Sequence, residues 1–205
     1  MIENLTEIEK QTLLHLAREA LECSVRGKKL PALNENVLTP LLRAQGASFV
    51  TLTINTTGRG TGMIPELRGC IGALQPYQPL YLDVLEHAAA AALQDYRFPP
   101  VRPSELAHIH VEVSRLTLPV DLYYRDAEDL LSKLRPGLDG IILRDGQRRA
   151  TFLPQVWDQI PDKAAFLGHL CTKMGVEPGL WKHKHLGVQI YQVEEFHEQD
   201  KPITA

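Results

Sequence analysis

Ser48-Phe49-Val50-Thr51-Leu52-Thr53-Ile54-Asn55 is the stretch on which the fold turns. Its side chains alternate, Phe49, Thr51 and Thr53 against Val50, Leu52 and Ile54, and it is rich in β-branched residues, so it reads as a strand with two unlike faces. A glycine-rich loop, Thr56 to Gly62, leads into a second extended run from Met63 to Leu74. So short a connection predicts that the two runs pair as a hairpin.

Working outward from this pair, helices and further strands follow in groups. Thr6-Glu7-Ile8-Glu9 has the form of a capping box, and the apolar spacing from Ile8 to Leu21 predicts a helix that Gly27 stops. Thr39-Pro40 opens a short helical turn, and Pro79 to Asp95 is a helix with a small-residue face from Ala88 to Ala92. Phe98 to Pro103 holds three prolines and is extended, the best internal seam in the chain. Ala107 to Leu116 is a period-two strand with Ile109, Val111 and Val113 on the buried side, and Val120 to Tyr124 is a shorter one. A helix from Asp126 to Leu134 precedes a second hairpin, Gly140 to Leu143 and Arg149 to Leu153, around Asp145-Gly146. Pro154 to Ile160 forms a helical turn, Asp162 to Met174 a capped helix, and Gly187 to Phe196 the last strand. Hairpins with helices between groups of strands predict an α+β fold, a mainly antiparallel sheet flanked by helices.

Composition narrows the function classes. The 205 residues are 44% hydrophobic and 23% charged, with a formal net charge of -3. No global basic field draws such a chain to nucleic acid or to an anionic membrane. The start is polar and acidic, unlike a signal peptide, and the apolar run Ala88 to Leu93 is too short to span a bilayer. Three widely spaced cysteines, Cys23, Cys70 and Cys171, suit a reducing cytoplasm rather than a disulfide framework. No CxxC is present, which argues against a zinc ribbon.

Chemistry concentrates at Leu67-Arg68-Gly69-Cys70-Ile71-Gly72, a thiol between two glycines and near a guanidinium, where glycine inside a strand marks a bulge or a close approach to the backbone. In a regular strand Arg68, Cys70 and Gly72 share one face, with Arg68 and Cys70 about 7 Å apart at Cα. A guanidinium there could stabilise a thiolate or grip an anionic ligand, and Gly69 and Gly72 would leave space for it. The plain alternative is a cysteine packed for structure. His108, His110 and Glu112 alternate on one strand face, but their span of about 13 Å is too long for one ion, so a solvated sheet face is expected and no metal. Glu112 could pair with Arg68 or Arg97. Gly58-Arg59-Gly60-Thr61-Gly62 lacks the ending of a phosphate loop and reads as a hairpin tip. Trp181 to His185 mixes basic and aromatic residues and reads as an exposed loop; Cys23, Cys171, Phe152 and Trp157 read as core.

The hexapeptide, followed by Asp95-Tyr96-Arg97-Phe98, Glu112-Val113-Ser114 and Thr151-Phe152-Leu153-Pro154-Gln155-Val156-Trp157, resembles the AMMECR family. Its bacterial and archaeal members are called AmmeMemoRadiSam system protein A. The resemblance runs from about Phe49 to Glu198. It implies one domain over residues 1–205, made of a larger and a smaller lobe, with the hexapeptide near the groove between them. It brings no established activity and no named cofactor. It does imply a Memo-like protein and a radical-SAM protein as companions, and the absence of a cluster-binding cysteine triad means this chain is not the radical enzyme. Three readings follow. The first is an accessory protein that binds a small anionic ligand or a modified substrate in a groove around Arg68 and Cys70, with Arg68, Gly69, Gly72 and Arg97 as the ligand-binding residues. The second is an enzyme with Cys70 as nucleophile, aided by Glu112 or a distant His87. The third is a scaffold in which the thiol does no chemistry.

Overall fold

The computed structural model describes residues 4–30, 32–57 and 63–198. The hairpin tip expected at 58–62 lies outside them. The chain divides into two compact units, one of residues 1–116 with 194–205 and one of residues 117–193. The seam therefore falls at Leu116/Thr117 and Val193/Glu194. The proline segment read as the best internal seam lies wholly inside the first unit, where it lines a cavity.

In the first unit, helix α1 (Glu7–Val25) starts at the expected box. The Thr6 amide donates to Glu9 Oε2 at 2.8 Å and the Glu9 amide donates to Thr6 Oγ1 at 3.3 Å. A short helix α2 (Pro40–Arg43), capped by Thr39, leads into strand β1 (Gln45–Thr57). β1 pairs antiparallel with β2 (Met63–Gly72) on one side and with β4 (Ile109–Leu116) on the other. The short β3 (Gln78–Pro79) touches the start of β1, and β9 (Val193–His197) lies beside β4, giving the order β2-β1-β4-β9. Helix α3 (Leu80–Leu93) lies along β1 and β2 on the same side as α1. Leu13, Leu16 and Leu21 of α1, Val84, Ala88 and Ala91 of α3, and Val50, Leu52, Val111 and Val113 of the sheet form one core. Each fully buried leucine or valine there contributes roughly 1.5–3 kcal/mol. The other face of the sheet carries Thr51, Thr53, Cys70 and Glu112.

The second unit is a four-stranded antiparallel sheet in the order β5-β8-β6-β7, built from β5 (Val120–Asp121), β6 (Gly140–Asp145), β7 (Arg148–Phe152) and β8 (Gly187–Tyr191). Helices α4 (Ala127–Lys133) and α5 (Lys163–Lys173) each begin on an aspartate cap, Asp126 and Asp162. Its core stacks Trp157 on Phe166 at 3.6 Å between ring centroids, with Cys171 fully buried.

Four details differ from the sequence reading. The last strand is two, because its alternation breaks at Gln192, whose amide donates to Thr117 Oγ1 at 2.8 Å where the chain passes between units. The strand at Val120 stops after Asp121, and Tyr124 is instead buried with its hydroxyl on the Leu186 backbone. Trp181 is buried in the second core rather than exposed in a loop. Cys23 is only partly buried. The α+β class with antiparallel sheets stands. Among the described residues no helix is long and apolar enough to cross a membrane.

Candidate ligand cavity and thiol face

A bulge decides where the hexapeptide points. Leu52 faces Gly69 but the next residue, Thr53, faces Leu67, so Arg68 has no partner across the ladder. One extra residue in a strand inverts which side chains share a face on either side of it. Cys70 is thus level with Thr51, and Leu67 with Thr53, both on the face away from the helices. Arg68 does not share that face with Cys70.

Arg68 instead turns to the segment that follows α3. Its Nε donates to Glu105 Oε1 at 2.7 Å, its Nη2 to Glu105 Oε2 at 3.1 Å, and its Nη1 to the Pro99 carbonyl at 2.9 Å. This two-pronged pair holds the Glu105 carboxyl below the usual range, through the Arg68 hydrogen bond first, against the opposing effect of burial. The arginine expected to face a ligand already holds a carboxylate of the protein.

The glycines are also filled from within. A Cβ on Gly69 would stand 2.1 Å from the Ala91 carbonyl oxygen, so this glycine lets the α3 backbone rest on β2. A Cβ on Gly72 would stand 2.3 Å from the Phe49 ring. The space expected there for a ligand is taken by helix and by aromatic ring.

Space opens further along. β1 runs in the same direction as α3, Gly46 lying against Leu80 and Gly69 against Ala91. The helix ends at Leu93, and the sheet continues past it to Ile54 and Glu66. The proline-rich segment bends around this uncovered end and leaves a cavity of about 680 Å³ lined by Ile54, Glu66, Leu67, Arg68, Phe98, Pro99, Pro100, Arg102, Ser104 and Glu105. Arg102 is exposed, and its guanidinium makes no hydrogen bond or ion pair with the described residues; only its backbone amide is engaged, with Glu105 Oε2 at 2.7 Å. Sequence reasoning missed Arg102. The signal was present, a lone arginine inside a rigid proline run.

Asp95 and Arg97 serve the other edge of β2. The Cys70 amide donates to Asp95 Oδ2 at 2.8 Å and the Cys70 carbonyl accepts from Arg97 Nη2 at 3.2 Å. Arg97 in turn donates to both Asp95 oxygens, at 2.6 and 2.9 Å. Those hydrogen bonds, followed by the one from Cys70, hold the buried Asp95 carboxyl far below the ordinary range against the cost of its burial. The pair closes an edge that would otherwise offer free backbone groups to another strand. It also explains physically why residues 95–98 accompany the hexapeptide.

On the open face, Thr51 Oγ1 lies 3.3 Å from Cys70 Sγ, and Thr51 is level with Glu112 on its other side. Two strand spacings put Cys70 and Glu112 about 10 Å apart at Cα. Burial first, then the negative charge of Glu195, raises the Glu112 pKa, with His197 opposing. The expected pairing of Glu112 with Arg68 or Arg97 does not occur, since Glu105 and Asp95 hold those two. His110 lies beside Asn55 at 3.1 Å, while His108 precedes the strand. Among the described residues no group of three or more His, Cys, Asp or Glu is arranged to hold a metal ion.

His87 is no base for Cys70. It sits on α3, across the sheet, with Nδ1 3.1 Å from Asp83 Oδ2. The same oxygen accepts from the Ser48 amide at 2.7 Å and the Ser48 hydroxyl at 2.6 Å. All three residues are buried, and Asp83 Oδ1 has no partner among the described residues. An Asp and a His four apart on a mostly apolar helix were the available sign of this polar cluster.

Together these features define a two-unit α+β protein with a cavity at one end of its first sheet and a thiol on the opposite face. The chain belongs to the AMMECR1 family, whose model matches residues 14–196. A protein of Methanothermobacter thermautotrophicus is 39% identical over 197 residues, covering 95% of this chain and 96% of the relative. A protein of Methanopyrus kandleri is 37% identical over 207 residues, covering 98% and 93%. The crystal structure of uncharacterized protein PH0010 from Pyrococcus horikoshii superposes with a TM-score of 0.71 at 33% identity, over 92% of this chain and 90% of that one.

Proposed function

We propose that this AMMECR1-family protein is an accessory protein that binds a small ligand bearing an anionic group in the cavity beside Arg68. One observation carries the reading: the Arg102 guanidinium lines that cavity without an ion-pair partner among the described residues, while Arg68 is already held by Glu105. Arg102 is then the residue that meets the ligand's charge, and Arg68 the one that positions the wall. Ile54, Phe98, Pro99 and Pro100 supply apolar surface for the ligand's body, and the volume falls within the common range for small-molecule sites. The resemblance to AmmeMemoRadiSam system protein A adds the proposal that a Memo-like and a radical-SAM protein act beside it. Native mass spectrometry of protein from its own host should find a bound ligand or one of these companions; bare protein alone counts against that part.

Calorimetric titration tests the binding itself. Small apolar monocarboxylates and phosphate monoesters should bind, and Arg102→Gln should weaken them by about tenfold, the worth of one charged hydrogen bond. Cys70→Ser should leave the affinity unchanged. Absence of binding by every anion would end this reading.

A second reading, thiol chemistry on the open face, is favoured by the row Cys70, Thr51 and Glu112. It expects iodoacetamide to alkylate Cys70 at neutral pH faster than the partly exposed Cys23. A rate below that of Cys23 would count against it.

A further inference from the structure

We infer that the cavity's ligand is a zwitterion, carrying an ammonium group as well as its anion, and that Glu66 receives the ammonium; this rests on the ligand-binding reading above. The argument is one of charge. Four ionisable side chains line the cavity, Glu66, Arg68, Arg102 and Glu105. Arg68 pairs with Glu105 at 2.7 Å and takes up most of its charge, the Arg102 charge acting on the same carboxyl more weakly and without an ion pair. One carboxylate and one guanidinium remain, Glu66 and Arg102, both exposed and neither ion-paired with the described residues.

Position supports the assignment. Glu66 is level with Ile54, which is level with the buried Ile109, so Glu66 is on the helix side of the sheet where α3 no longer covers it. A ligand with only a negative group would be drawn by Arg102 and opposed by Glu66. A ligand with both charges satisfies both, and the apolar wall of Ile54, Phe98 and the two prolines suits an apolar body. That is the chemistry of a short apolar peptide with free ends. Complementary charge of this kind selects between ligands more than it adds affinity.

The test uses three forms of one dipeptide, alanyl-leucine: free, N-acetylated and C-amidated. Calorimetry on the whole chain should show the free form binding about tenfold tighter than either blocked form. Glu66→Gln should abolish the preference over the acetylated form, and Arg102→Gln the preference over the amide. Equal binding of free and acetylated forms would overturn the zwitterion while leaving the anion site standing. Binding of simple carboxylates or phosphates with no dipeptide binding would do the same. Failure of every ligand, simple anions included, would overturn both.

Discussion

The two sides of strand β2 are made from neighbouring residues and are built in opposite ways. On the helix side, Gly69 brings the α3 backbone into contact, and Arg68 is locked to Glu105 at 2.7 Å, leaving Arg102 and Glu66 around a cavity with no ion pair among the described residues. On the open side, Cys70 stands in line with Thr51 and Glu112, with no arginine among that row. The difference comes from one residue of bulge. Adjacency in sequence suggested a thiol tuned by a neighbouring cation, and the slip in register separates the two.

The largest effect is expected at the contact that makes the sides unequal. Gly69→Ala places a methyl group against a backbone carbonyl that cannot rotate away. It should cost about 3 kcal/mol, at the upper end of overpacking, and lower the melting temperature by roughly 6–12 °C for a chain of this size. A variant as stable as the parent would show that α3 does not rest on β2.

Two carboxylates then sharpen the contrast through pH. Asp95, on the edge clamp, has its pKa lowered, so its stabilisation is present above its ordinary value of 3.8 and is lost as pH falls toward the folded value. Asp95→Asn should cost about 2–3 kcal/mol at neutral pH, for its lost hydrogen bonds to a charged partner, and the difference from the parent should shrink in acid. Glu112, on the open face, is shifted the other way. Its proton stabilises the fold below the ordinary carboxylate range, and that contribution fades as pH rises through the raised pKa. Glu112→Gln should therefore match or exceed the parent's stability at neutral pH and show no gain in acid. Chemical denaturation at several pH values measures both, and a Glu112→Gln loss at neutral pH would contradict the burial argument.

Much of the fold was legible. The Thr6 box, the aspartate caps at 126 and 162 and the alternation of β1 and β4 are local signals, and each produced its element. The hexapeptide and the 95–98 segment were legible as belonging together, but not as an edge clamp, because that depends on which backbone groups of β2 face outward. Gly69 marked a bulge or a close approach, and the bulge lies at Arg68 beside it; which residue is the extra one was not legible, because register is set by pairing across strands. The two glycines announced a close approach correctly in kind, yet the approaching groups are the Ala91 carbonyl and the Phe49 ring. The break at Gln192 showed in the sequence only as imperfect alternation. Arg102 and Asp83–His87 needed the end of α3 and the face of the sheet to be known first.

The separation of thiol and cavity is the central claim, and a mercury derivative tests it most directly. Crystals soaked in methylmercury should show the Cys70 metal beside Thr51, on the Glu112 side of the sheet. A mercury peak inside the cavity between Arg68, Phe98 and Arg102 would contradict the account.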